Sequence, residues 1–235
     1  MVLSPPLPEA CGALNRRFDA AAFAPAPGLE EVCVGGAAGV AAGLGFLAAR
    51  FLAPPFGREG TQGPRLAAVI APRFWFGERG RPYAHGLKAL GLSADRLLVV
   101  MPRNETEALW AMEEVLRSGA AALAVGAVEG ASLVATRRLD LMAREAGAAV
   151  ALVRTTPQHG LSAARRRWRL SPSPSAADPF DPKASGAPRW RAVLERSRDG
   201  AAGEALLEYD DEAFRLHLVD GLADHGLAGG ASVAA

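Results

Sequence analysis

Lysine is nearly missing from this chain: Lys88 and Lys183 are the only two, and the rest of the 26 basic residues are arginine. Since none precedes Lys88, the N-terminal third cannot supply the lysine that a nucleotide-binding phosphate loop needs. Cysteine is equally scarce. Cys11 and Cys33 lack a CxxC spacing, which excludes a disulfide framework and a cysteine-held metal. The four histidines, His85, His159, His217 and His225, are scattered without ligand spacing, so no metal and no other cofactor is expected. With 26 basic against 25 acidic residues the net charge is +1, too small for a protein that coats DNA through charge alone; any nucleic-acid contact must be local. One charge-free run, Val32 to Ala49, approaches membrane-spanning length. It is mostly Ala and Gly, which contribute little insertion energy, so no membrane span is expected. The chain opens without a basic segment leading into an apolar core, and a reduced, cytoplasmic protein is the expectation. No nucleophile stands beside a readable base and orienting acid, which leaves a hydrolase without support.

What is present is alternation. Short apolar runs at Glu30 to Val34, Leu66 to Ala71, Leu97 to Met101, Ala121 to Val128 and Ala148 to Val153 have strand length. Helical period fills the intervals: Val40 to Leu52, then Asn104 to Ser118 with Asn104 as cap and Gly119 as stop, then Ala131 to Ala146 stopped by Gly147. Strands alternating with helices at this spacing predict βαβ units and a mostly parallel sheet. Beyond Val153 the pattern changes to three runs read as antiparallel strands, Arg165 to Leu170, Trp190 to Arg196 and Ala205 to Val219. The last folds into a hairpin at Asp210-Asp211-Glu212 with Leu206, Tyr209, Phe214 and Leu216 as apolar members. The predicted organisation is an N-terminal arm over 1–27, one α/β core domain over 28–219 with antiparallel strands at its C-terminal edge, and a flexible tail over 220–235.

The strand ending at Val34, the glycines Gly35, Gly36 and Gly39 and the following helix form the setting of a phosphate loop. The residues that grip phosphate and Mg²⁺ are absent. Counting from Gly35, Val40, Ala41 and Ala42 replace the Gly-Lys-Ser/Thr ending, and no other register restores it. The alternative use of these glycines is close packing of a helix on a sheet. The strand Ala121 to Val128 ends in Gly126, Ala127 and Val128 where a metal-holding carboxylate would stand, and Glu129 is one step beyond.

Several stretches in order carry a resemblance: GLEEVCVGGAAG (28–39), AVIAPRFWF (68–76), YAHGLKALGLSADRLLVV (83–100), ALWAMEEVLRSGAAALAVG (108–126), SAARRRWRLSPSPS (162–175) and PRWRAVLERSRDG (188–200). Residues 28–156 resemble the core of the RecA recombinase family, and most of the chain resembles the ImuA group of RecA-like accessory proteins in damage-induced mutagenesis, which are related to SulA-type inhibitors. The resemblance implies a RecA-like mostly parallel sheet with flanking helices. It also implies a non-catalytic scaffold that binds an inactive Y-family polymerase homologue (ImuB-like), with RecA, an error-prone replicative-type polymerase and DNA as further candidate partners. Relative to active recombinases, the chain departs at Ala41 and Ala42, around Pro72 and Arg73, and at Gly126. An inhibitor of the division protein FtsZ is the alternative that the SulA relation suggests.

Two segments could carry binding. Arg165, Arg166, Arg167 and Arg169 surround Trp168, a set suited to phosphate contacts with base stacking, to a protein partner, or merely to a solvated edge strand. In the resemblance it follows Thr155 to Leu161, which matches a shortened DNA-binding loop. Phe74, Trp75 and Phe76 follow a long strand at the sheet end where α/β proteins place ligand sites. Three consecutive aromatics cannot all face one core, so part of this trio is expected to anchor a partner or to pack against the N-terminal arm. Trp110 is expected to pack in the core or on the helix surface.

Overall fold

Each apolar run expected to be a strand is one, and the helices between them lay five strands side by side in parallel. The computed structural model describes residues 26–51, 65–88, 93–156, 160–178, 180–181, 183–198, 202–210 and 215–219. Most of the expected arm, the Pro54 to Pro64 loop, Phe214 and the tail lie outside these residues. The elements are β1 (Gly28–Val34), α1 (Gly36–Phe51), β2 (Leu66–Ile70), α2 (Arg73–Arg79), α3 (Ala84–Lys88), β3 (Leu97–Val100), α4 (Glu105–Arg117), β4 (Ala121–Ala127), α5 (Leu133–Glu145), β5 (Ala149–Arg154), β6 (Arg166–Ser173), β7 (Arg189–Ser197), β8 (Gly203–Asp210) and β9 (Arg215–Leu218). Among the described residues they form one nine-stranded sheet in the order β3-β2-β4-β5-β1-β6-β7-β8-β9. The α/β class with an antiparallel C-terminal edge is thus what the sheet shows. None of the described helices is long and apolar enough to cross a membrane.

The structure corrects two local expectations. First, β6 runs parallel to β1, in the register Glu30 opposite Arg166, and antiparallel pairing begins only at β7. Ahead of β6, the Arg165 N–H donates to the Leu29 carbonyl at 2.8 Å, which sets the start of β6 beside the start of β1. Second, α1 starts four residues before Val40, and α2 occupies the aromatic stretch 73–79. Within the last hairpin, β8 buries Ala205, Leu207 and Tyr209 and turns Leu206 to the other side. Leu206 and Tyr209 are three positions apart and cannot share one face of a strand, whose side chains alternate with period two.

The sheet separates two cores. One joins α1 to the inner faces of β1 and β6 to β8 through Phe46, Leu47, Phe51, Trp168, Leu170, Leu194 and Leu207. The other joins α4 and α5 to β2, β4 and β5 through Ile70, Met112, Leu116, Leu139 and Leu152. Each such side chain contributes about 1.5–3 kcal/mol on leaving water.

α4 begins and ends on the signals read in the sequence, and α5 ends on its own; the start of α5 is set by Ser132, one residue inside the expected helix. The Asn104 side chain accepts from the Glu107 N–H at 2.9 Å, and Ser132 caps α5 by accepting from Ala135 N–H at 3.2 Å. Gly119 and Gly147 take left-handed conformations, φ 68 and 58, that stop the two helices. Glu107 does not reach back to the cap residue itself but accepts from the Arg103 N–H at 2.9 Å. Replacing Asn104 by Ala removes one cap and is expected to lower unfolding free energy by about 1 kcal/mol. Urea denaturation should show this as a shifted midpoint at unchanged slope.

Candidate functional site

The strand-to-helix junction is tighter than a phosphate-binding turn. β1 ends at Val34, only Gly35 intervenes, and α1 starts at Gly36. A Cβ built on Gly39 would lie 3.0 Å from the Val34 Cβ, and one on Gly43 would lie 2.8 Å from the Val34 Cγ1. Gly39 and Gly43 therefore let α1 approach the end of β1, the packing use of the glycines. Of the residues at the Gly-Lys-Ser/Thr positions, Val40 and Ala42 are buried in the core beneath α1, and Ala41 is exposed.

At the carboxyl rim of the parallel strands, the chain's own carboxylates occupy backbone N–H groups. Glu129 accepts from the Thr155 N–H and hydroxyl, both at 2.7 Å, and from the Thr156 N–H at 3.3 Å. Glu105 accepts from the N–H groups of Glu129 and Gly130 at 3.2 and 3.1 Å. These contacts tie the ends of β4 and β5 together at the place where α/β proteins bind ligands. Among the described residues no group of His, Cys, Asp and Glu is arranged to hold a metal. Burial pushes the half-buried Cys33 thiol above its ordinary value.

The basic cluster divides by face. Arg166 and Trp168 point inward, and Trp168 is fully buried. Glu30, the neighbour across β1, accepts from Trp168 Nε1 at 2.8 Å, from both terminal nitrogens of Arg50 at 2.6 and 3.1 Å, and from Arg166 at 3.2 Å. Phe46 meets the Trp168 ring edge-on at 5.4 Å between centroids, and the Arg50 guanidinium lies 5.0 Å from that ring. Because β1 alternates, Glu31 faces the other side of the sheet. There it accepts from Arg154 at 3.0 Å and from Arg167 Nε at 2.9 Å. Arg169 is half exposed and pairs across the strands with Glu195; Arg191 and Arg189 pair likewise with Glu204 and Glu208 on β8.

This arrangement corrects the surface expectation for two residues. Trp168 cannot stack on a base, because its ring is enclosed and its N–H is committed to Glu30. Arg166 is enclosed beside it. Arg165, Arg167 and Arg169 do lie on the outward side, as the strand alternation requires, with Arg167 largely covered by its pairing to Glu31. The aromatic trio also splits: Phe74 is 58% exposed, whereas Trp75 and Phe76 are buried, with their rings edge-on at 5.5 Å. Trp110 is 63% exposed, which leaves the helix surface and not the core as its place.

Glu30, Glu31, Arg50 and Arg154 are the residues that sequence reasoning passed over. A signal for them existed: two adjacent acids in an otherwise apolar central strand must each find a cation, and the consecutive Arg166 and Arg167 answer them face for face.

No family model matches the chain. It is 36% identical to Protein ImuA of Caulobacter vibrioides, strain NA1000 / CB15N, over 167 residues, covering 66% of this chain and 68% of that protein. Protein ImuA of strain ATCC 19089 / CIP 103742 / CB 15 matches to the same extent. Among solved structures, the RadB recombinase gives a TM-score of 0.48 at 16% identity, covering 80% of this chain and 90% of the recombinase. SulA from Pseudomonas aeruginosa gives 0.42 at 19% identity, covering 55% of this chain and 98% of SulA. On the strength of the 36% identity across two thirds of both chains, this protein belongs to the ImuA family.

Proposed function

We propose that this chain is a non-catalytic, RecA-like accessory protein of damage-induced mutagenesis, acting in the cytoplasm as a scaffold for translesion DNA synthesis. Its principal partner is an inactive Y-family polymerase homologue, with RecA, an error-prone replicative-type polymerase and DNA as further ligands. Family membership supports the pathway. The observation that carries the non-catalytic reading is the β1–α1 junction, where one residue separates strand from helix and Val40, Ala41 and Ala42 stand in for the phosphate-gripping set.

Of the candidates, Phe74, Arg165 and Arg169 supply the partner-facing groups, while Arg166, Arg167, Trp168, Trp75 and Phe76 hold the scaffold beneath them. The charges of Arg166 and Arg167 are already matched by Glu30 and Glu31, so a protein partner fits this surface better than a phosphate backbone does.

Deleting the gene should lower damage-induced mutation, and a copy carrying Phe74→Asp should fail to restore it while the purified variant stays folded. Unchanged mutation frequency and survival after ultraviolet treatment in the deletion strain would overturn the reading. So would micromolar nucleotide binding with turnover by the purified chain. Filamentous growth on overexpression would point instead to the division-inhibitor alternative.

A further inference from the structure

Two parallel helices on one face of the sheet present a row of large apolar side chains to solvent. Trp110 on α4 is 63% exposed, and Val134 and Leu141 on α5 are 66% and 50% exposed. The helices are held in register at two levels. Glu105, at the start of α4, accepts from the backbone just before α5, and buried Glu113 pairs with Arg138. Trp110 lies one turn before Glu113; Val134 lies one turn before Arg138 and Leu141 one turn after it. The three apolar groups therefore surround this bridge on the outer surface.

The two crests differ in charge. On α4 the outward row is Glu107, Trp110 and Glu114. On α5 it is Val134, Arg137, Arg138 and Leu141, and Arg137 has no ion-pair partner among the described residues. Arg103 and Arg117 pair with the two α4 acids at the surface, where such pairs are worth about 0–1 kcal/mol and exchange readily for a better partner.

We propose that the α4/α5 face is a two-fold interface at which this chain binds a second copy of itself. Rotation about an axis running along the helices lays α4 of one copy over α5 of the other. Trp110 then meets the apolar row of the facing α5, and Glu114 meets its Arg137, each contact occurring twice, as an isologous interface demands. Thirteen-residue helices are about 20 Å long. With axes about 10 Å apart, such a pair offers several hundred Å² per copy, on the scale of the smaller specific interfaces. A weak, concentration-dependent dimer follows. It is independent of the scaffold reading above.

Sedimentation of the full chain between about 1 and 100 µM, the range of weak specific association, should show the mass rising from one chain to two. Trp110→Glu and Leu141→Glu should each weaken the dimer about 30-fold, the effect of losing one central anchor. Glu114→Arg or Arg137→Glu alone should also weaken it, and the two together should restore it. That rescue excludes misfolding as the cause. A monomer throughout, an open-ended assembly, or a dimer indifferent to both apolar variants would overturn the proposal.

Discussion

In urea, Glu30→Ala is expected to lower the free energy of unfolding by about 3–5 kcal/mol, a large part of what an ordinary domain possesses. Glu30 sits on the central strand at 3% exposure, and its two oxygens receive Arg50, Arg166 and the Trp168 N–H. Truncation takes the Glu30 carboxylate away from two guanidinium groups that are themselves buried. The wild-type cluster need not contribute much net stability, because desolvating three charges offsets most of their attraction. The asymmetry gives a discriminating comparison. Replacing the charged set together, Glu30→Leu with Arg50→Met and Arg166→Met, should cost far less than Glu30→Ala alone. Should the triple variant be the less stable of the two, uncompensated charge is not the reason Glu30 matters.

Trp168→Ala is the second severe change, expected to cost about 3–5 kcal/mol through the cavity that a deleted buried aromatic leaves. The ring lies on the inner face of β6, against both Phe46 and the Arg50 guanidinium, in the core that joins α1 to the antiparallel half of the sheet. Its loss also removes one of the hydrogen bonds that orient Glu30. The effects of Trp168→Ala and Glu30→Ala should therefore not add, and the double variant should lose less than the two singles together. Trp168→Phe isolates the N–H: it keeps most of the apolar contact and should cost about 1–2 kcal/mol. A folded Trp168→Ala protein of wild-type stability would mean that the ring is a surface element after all and would reinstate it as a stacking residue.

Both changes fall on residues that look, one at a time, like a binding site. Arginine next to tryptophan is the composition of hot spots and of nucleic-acid surfaces, and it is also the composition of a buried charge cluster with its aromatic lid. What separates the two is a carboxylate brought from elsewhere in the chain. Glu30 and Trp168 are 138 positions apart, and only the placement of β6 beside β1 makes them neighbours.

The sequence by itself determined the strands, whose apolar runs have no other stable use, and both ends of α4 with the C-terminal end of α5, because Asn104, Gly119 and Gly147 act within one turn. It also determined what the first glycine turn lacks, since a missing lysine needs no structure to be noticed. The family likewise was legible, because several motifs recur in order. The tertiary structure alone decided which face of each element is inside. Period-two alternation assigned Arg165, Arg167 and Arg169 to one side of β6 and Arg166 and Trp168 to the other, but solvent is chosen by what covers the sheet. α1 covers the Trp168 side. The outward turn of Trp110 and Phe74 and the inward turn of Trp75 and Phe76 have the same cause: burial is a property of neighbours distant in the chain, and local pattern carries only the alternation between them.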